Sequence, residues 1–207
     1  GLRVQQVPHV SVDSCLFADI AGTGGGSGMG LGAGYADYLR VTNCIAYGCQ
    51  YAGFTIGATP SAYIANSTAY DSVRGFVLDE NSRLINCVAV GNATIGFDID
   101  VSVANRTSAW YCFSDSADDD LEDANNAGAT TCDNDLTLTD DFVNLTAGSE
   151  NLHLLSGSEL KNIGAGAAIG GADTDGQYRP RVDDTSIDVG ADEYVVSDSP
   201  REVVRYI

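Results

Sequence analysis

Apolar residues along this chain come in short runs separated by turn residues, and no stretch keeps an apolar face at the 3.6-residue spacing of a helix. Three of the runs nearly repeat one another: VTNCIAYGCQYAGF (41–54), IANSTAYDSVRGF (64–76) and LINCVAVGNATIGF (84–97). Aligned on asparagine, they put Asn43, Asn66, Asn86 and Asn105 in one column at intervals of 23, 20 and 19 residues, with Ser14 standing 29 before Asn43. The next column holds Cys15, Cys44, Ser67, Cys87 and Arg106. Gly-Phe at 53–54, 75–76 and 96–97 is a second marker with the same period. The excess between Ser14 and Asn43 is assigned to a glycine-rich insertion at 22–34, whose residues favour neither strand nor helix and are expected to loop out.

A period near 20 with two or three β-like segments per repeat predicts a solenoid of strands. Leucine-rich repeats share the period, but leucine is too sparse here for their spacing. The expected fold is therefore all-β: a right-handed parallel β-helix of about four to five coils with a C-terminal cap. Coils stack at about 4.8 Å, so equivalent residues form ladders along the axis. Asparagine suits a buried ladder because its amide both donates and accepts. The neighbouring cysteines read as small, free, buried thiols. Parallel side chains aim poorly for disulfides, and Cys112 with Cys132, flanking the acidic loop 114–131, is the pair best placed to bond. Of the four Asn-x-Ser/Thr sites, Asn66 and Asn105 are expected to be structural, and Asn92 and Asn144 to be permitted glycosylation sites. Coils are expected over 1–140, a closing module over 141–195 and a tail over 196–207 that fits a partner-binding strand or short helix.

Composition then narrows the function. The chain has 207 residues, 29 acidic against 10 basic, a net charge of −19 and one lysine, Lys161. Such a field repels phosphate backbones, so no nucleic-acid partner is expected. No segment approaches the length of about 20 apolar residues that spans a bilayer, so no membrane insertion is expected. Two histidines and no Cys-x-x-Cys give zinc no support. No cofactor is expected; DTDG at 173–176 leaves only calcium open, without the other carboxylates of a calcium loop.

The NC-x-A-x-G…GF coils, with DFVNLTAGSENLHLLSGSELKNIGAG (141–166), DTDGQYRP (173–180) and DVGADEY (188–194), resemble the pectate-lyase-like right-handed parallel β-helix proteins. The likeness is to the repeat-rich kind of secreted bacterial proteins and tailed phages. It implies that Asp173, Asp175, Gly176, Arg179, Pro180, Asp188, Gly190, Asp192 and Glu193 shape turns and salt links over the last coil. Many members of that superfamily cleave acidic polysaccharides, so a lyase or glycoside hydrolase has to be weighed.

A lyase needs a base and a cation beside it, and no three of Arg40, Arg74, Arg83 and Arg106 share a column. A hydrolase needs two carboxylates at a set separation. Asp79, Asp98 and Asp100 follow the Gly-Phe markers, and Asp71 is a further candidate, yet stacked exposed carboxylates are more often a solvated face. Tyr47 and Tyr70 share a column with Trp110 near its next position, forming either core or an outward sugar platform. The expected role is a non-enzymatic structural or adhesive module on an extracellular or virion surface. Its candidate glycan- or cation-binding residues are Tyr47, Tyr70, Trp110, Asp79, Asp98 and Asp100. Its partners are copies of itself, as in a trimer, other surface proteins, or surface glycans.

Overall fold

The computed structural model describes residues 1–22, 29–78, 81–99, 107–116, 132, 137–146, 151–165, 187–191 and 194. Among these the chain is an all-β parallel solenoid with no α-helix. The first coil contributes β1 (Leu2–Gln5), β2 (His9–Asp13) and β3 (Leu16–Ala18); the second β4 (Met29–Gly34), β5 (Tyr38–Thr42) and β6 (Ile45–Tyr47). The third has β7 (Ala52–Gly57), β8 (Ala62–Ala65) and β9 (Thr68–Tyr70), and the fourth β10 (Arg74–Leu78), β11 (Ser82–Ile85) and β12 (Val88–Val90). The fifth has β13 (Ile95–Ile99), β14 (Ser108–Trp110) and β15 (Phe113–Ser114). First, second and third strands of successive coils form three parallel five-stranded sheets.

Corners form where single residues enter the left-handed region. Between the second and third strands these are Ser14, Asn43, Asn66, Asn86 and Tyr111, with φ between 48° and 54°. Asparagine tolerates that conformation better than most residues, which is one reason it recurs there. The other reason is its amide. Asn86 Nδ2 donates to Asn66 Oδ1 (3.0 Å), Asn66 Nδ2 to Asn43 Oδ1 (3.2 Å), and Asn43 Nδ2 to Asp13 Oδ1 (3.0 Å). The chain of amides thus runs in one direction and ends on a carboxylate. One residue on, Cys15, Cys44, Ser67, Cys87 and Cys112 each donate to the carbonyl two residues back, at 3.0–3.5 Å. Serine replaces cysteine freely because both fill the corner and satisfy the same carbonyl.

The interior explains the Gly-Phe marker. Phe54, Phe76 and Phe97 are fully buried, and their rings stack at 4.9 Å with interplanar angles of 10° and 4°. That spacing is the strand spacing, so the ladder imposes the stack. A Cβ on Gly75 would lie 2.3 Å from the Gly96 carbonyl oxygen and 3.1 Å from Ala89 Cβ, so only glycine fits where the first and third sheets converge.

Two register assignments differ from the sequence reading. The glycine-rich segment does not loop out as far as residue 34: Met29–Gly34 is strand β4, in register with β1 and β7. Leu31 lies beside Phe54 in the interior, so Gly30-Leu31 is the second coil's version of Gly-Phe; parallel neighbours on both sides supply the backbone bonds that glycine propensity alone does not. The ladder place after Asn86 belongs to Tyr111, since Ile85 pairs with Trp110 and Asn86 N donates to Trp110 O at 3.0 Å. Cys112 correspondingly takes the place assigned to Arg106. Asn105 and Arg106 themselves lie outside the described residues.

A C-terminal segment packs along the flank of the solenoid. It holds a 3₁₀ turn (Leu138–Asp140) and the antiparallel pair β16 (Phe142–Asn144) and β17 (Asn151–Leu154). Leu138, Phe142, Leu154, Leu160 and Val189 form one buried cluster with Tyr70, Val88 and Val90 of the third sheet's outer face. Ile187 is buried against Ala65, at the next corner. The segment also joins the amide ladder: Ala165 N donates to Asn86 Oδ1 (2.8 Å), Gly190 N to Asn86 O (2.9 Å), and Ala191 N to Thr68 Oγ1 (3.0 Å). Buried Asp188 accepts from Asn162 N (2.7 Å) and Tyr194 N (2.6 Å), pinning two turns of the segment. Of the other residues expected to close the last coil, Asp173, Asp175, Gly176, Arg179, Pro180, Asp192 and Glu193 lie outside the described residues, as does the tail 196–207.

Candidate functional site

Strand alternation sends every second residue outward, and in-register stacking turns those residues into columns. On the second sheet the middle outward column reads Ser11, Arg40, Tyr63, Arg83, Ser108. Beside it His9 pairs with Tyr38, their rings 6.1 Å apart, and on the other side run Asp13, Thr42, Ala65, Ile85 and Trp110. A shallow cavity of about 400 Å³ opens here, lined by Tyr38, Pro60, Ser61, Ala62, Tyr63, Asn81 and Arg83. Burial pushes the Tyr63 phenol up, and the positive charge of Arg40 partly opposes that rise. Among the described residues neither Arg40 nor Arg83 has an ion-pair partner, the one ion pair being Arg74–Asp98 at 2.6 Å on the first sheet. In a chain with a net charge of −19, two unpaired arginines flanking a tyrosine are an exception to the surrounding field.

The residues singled out from sequence are dispersed. Tyr47 and Tyr70 do share an outward column on the third sheet, as their spacing predicted. They form neither the solenoid core nor an open platform: Tyr70 is 6% exposed under the C-terminal segment, and its hydroxyl donates to the Leu145 carbonyl. Trp110 is not near that column. It pairs with Ile85 on the second sheet, because the fifth coil's register is later than the asparagine spacing implied. Asp98 is tied to Arg74, whose guanidinium also sits 5.5 Å from the Tyr51 ring centre, so this carboxylate is half of a surface pair. Asp71 is an exposed left-handed corner residue (φ 45°). Asp79 and Asp100 lie outside the described residues.

Arg40, Tyr63 and Arg83 were not grouped from the sequence, yet a signal was there. Each stands three residues before its ladder asparagine, Asn43, Asn66 and Asn86.

The remaining chemistry is structural. All six cysteines are free thiols, including Cys112 and Cys132. Burial pushes the Cys44 thiol up to about 12 and raises Cys49 and Cys112; Cys132 is raised chiefly by the neighbouring Cys112 thiol. At neutral pH these thiols are protonated and poor nucleophiles. Asn92 Nδ2 donates to Ala69 O (3.2 Å) and its Oδ1 accepts from Ser72 N (3.2 Å), so this sequon also braces coil to coil. Among the described residues no three acidic, histidine or cysteine side chains gather as a metal site, and no helix is long and apolar enough to cross a membrane. A second, smaller hollow of about 100 Å³ lies over Gly32 and Gly34 on the first sheet. Beside it Thr55 Oγ1 is buried without a hydrogen-bond partner.

No family model, curated protein or solved structure matches this chain, and the outer face of the second sheet is the site its geometry singles out.

Proposed function

We infer that this chain is a rigid structural or adhesive module, working on an extracellular or virion surface, that holds a glycan on the outer face of its second sheet. The observation that carries the reading is the column Arg40–Tyr63–Arg83, bordered by a cavity whose walls offer hydroxyl and amide groups from Ser61 and Asn81. An aromatic face with convergent polar groups is what sugar recognition requires. The acidic, lysine-poor composition and the likeness of the repeats to secreted and phage β-helix proteins support the setting. Contact with a second copy or a neighbouring surface protein is placed at the exposed apolar residues Leu2, Val7 and Leu16.

The test is a binding screen of the intact chain against immobilised acidic and neutral glycans, with the same glycans incubated in solution and assayed for new reducing ends or unsaturated sugars. Binding without product supports the adhesive reading. Product formation replaces it with a polysaccharide lyase or hydrolase, and a chain that stays monomeric at all concentrations removes the self-contact.

A further inference from the structure

The second sheet's outer face contains more information than an affinity for sugar. We propose that its ligand is a linear glycan bearing an anionic group on alternate sugars, laid along the solenoid axis over Arg40, Tyr63 and Arg83. This deepens the glycan-binding reading and rests on it.

The spacing comes from the register. Arg40 pairs with Tyr63, and Tyr63 with Arg83, in strict parallel alignment. The two arginine strands are therefore two strand spacings apart, about 10 Å. One sugar of a linear glycan covers roughly one such spacing, so a disaccharide unit carries an anion from one guanidinium to the other. The sugar between them lies on Tyr63, which offers a ring face and a hydroxyl but no positive charge. A polymer with a carboxylate on every sugar brings one to the level of Tyr63, where the column has no cation to meet it. A neutral polymer would leave both arginines unanswered.

Direction and ligand class follow from the neighbours. Among the described residues, the columns beside the arginines carry no lysine or further arginine, so a ligand parallel to the axis meets both charges. The one carboxylate in the adjacent described column, Asp13, already accepts from Thr42 and Asn43. An extended peptide would dock through an open strand edge, but β8 is the central strand of its sheet and has none. The flanking hydroxyls and amide of Ser61, Tyr38 and Asn81 suit the hydroxyls of a sugar. Bidentate guanidinium contacts to carboxylate or sulfate supply the charge recognition.

The experiment is calorimetric titration of the full chain with three oligosaccharide sets of equal length: hyaluronan, charged on alternate sugars; oligogalacturonate, charged on every sugar; and maltose oligomers, uncharged. Hyaluronan is expected to bind about tenfold or more tightly than either of the others, with an affinity that falls as salt rises. Arg40→Gln and Arg83→Gln should each weaken it about tenfold while the melting temperature stays at the parent value. Equal or tighter binding of oligogalacturonate or of maltose oligomers overturns the alternate-charge assignment and leaves the glycan-binding face standing. Indifference of hyaluronan binding to both arginine variants overturns it too. If none of the three sets binds and a poly-glutamate peptide does, the glycan-binding reading falls with it.

Discussion

The outer faces of the second and third sheets are made by the same coils and each presents tyrosine in a ladder, yet the third is sealed by apolar residues while on the second Arg40 and Tyr63 are half-buried and Arg83 exposed. On the third sheet Tyr70 stands beside Val88 and Val90, and the resulting apolar strip is sealed by Leu138, Phe142, Leu154 and Leu160 from the C-terminal segment. On the second sheet Tyr63 stands between Arg40 and Arg83. Covering it would take two guanidinium groups out of water with no ion-pair partner among the described residues, which costs several kcal/mol per ion. Ile187 of the segment is buried on Ala65, with Tyr63 and Ile85 partly buried beside it, while Arg40 is half-buried and Arg83 exposed. A ring in an outward column is thus not a binding platform by itself. Its neighbours along the axis decide whether the chain buries it or leaves it for a ligand.

That contrast can be broken most forcefully from the covered side. Val88→Asp would put a carboxylate into the sealed cluster and should cost about 3 kcal/mol or more, read by urea unfolding, with the C-terminal segment becoming the first site of proteolysis. If Val88→Asp unfolds no more easily than the parent, the seal is not what stabilises this face. Asn66→Ala, at the corner between the two sheets, strands Asn43 Oδ1 and Asn86 Nδ2 in the interior and should cost about 2–4 kcal/mol in the same measurement. Tyr70→Phe removes the hydroxyl that donates to the Leu145 carbonyl and should cost about 1 kcal/mol. Arg40→Gln, on the outer face of the second sheet, should change stability by less than about 0.5 kcal/mol. It should nevertheless move the Tyr63 phenol further upward, because the positive charge that favours the phenolate is gone. Ultraviolet titration of the variant would show that shift, and an unchanged Tyr63 titration would mean that Arg40 does not lean on the ring.

Much of the ladder was legible before any coordinates. Asn43, Asn66 and Asn86 bond in sequence order as their spacing required, and Cys15, Cys44, Ser67 and Cys87 stack one residue on. The reading slipped at Asn105 because the fifth coil keeps the ladder with Tyr111 in place of asparagine; Trp110-Tyr111-Cys112 parallels Ile85-Asn86-Cys87, and the cysteine was the truer marker. It slipped again at Met29–Gly34, where two neighbouring strands override the weak strand preference of glycine. The Arg40–Tyr63–Arg83 column was present at a fixed offset from the asparagines, hidden only because arginine and tyrosine do not look like a repeat.

What the sequence determined by itself is the period, and through it the asparagine, cysteine and Gly-Phe ladders of the middle coils, because in-register stacking makes position along the coil equivalent to position in space. The solenoid's columns follow from that equivalence with little freedom. Only the tertiary structure decided which outward column is used: the C-terminal segment has no period linking it to the coils, so its docking depends on the shape and polarity of an assembled face. Burial of Tyr70 and partial exposure of the arginine column arise at that step, when apolar surface is withdrawn from water and unpaired charge is left in it.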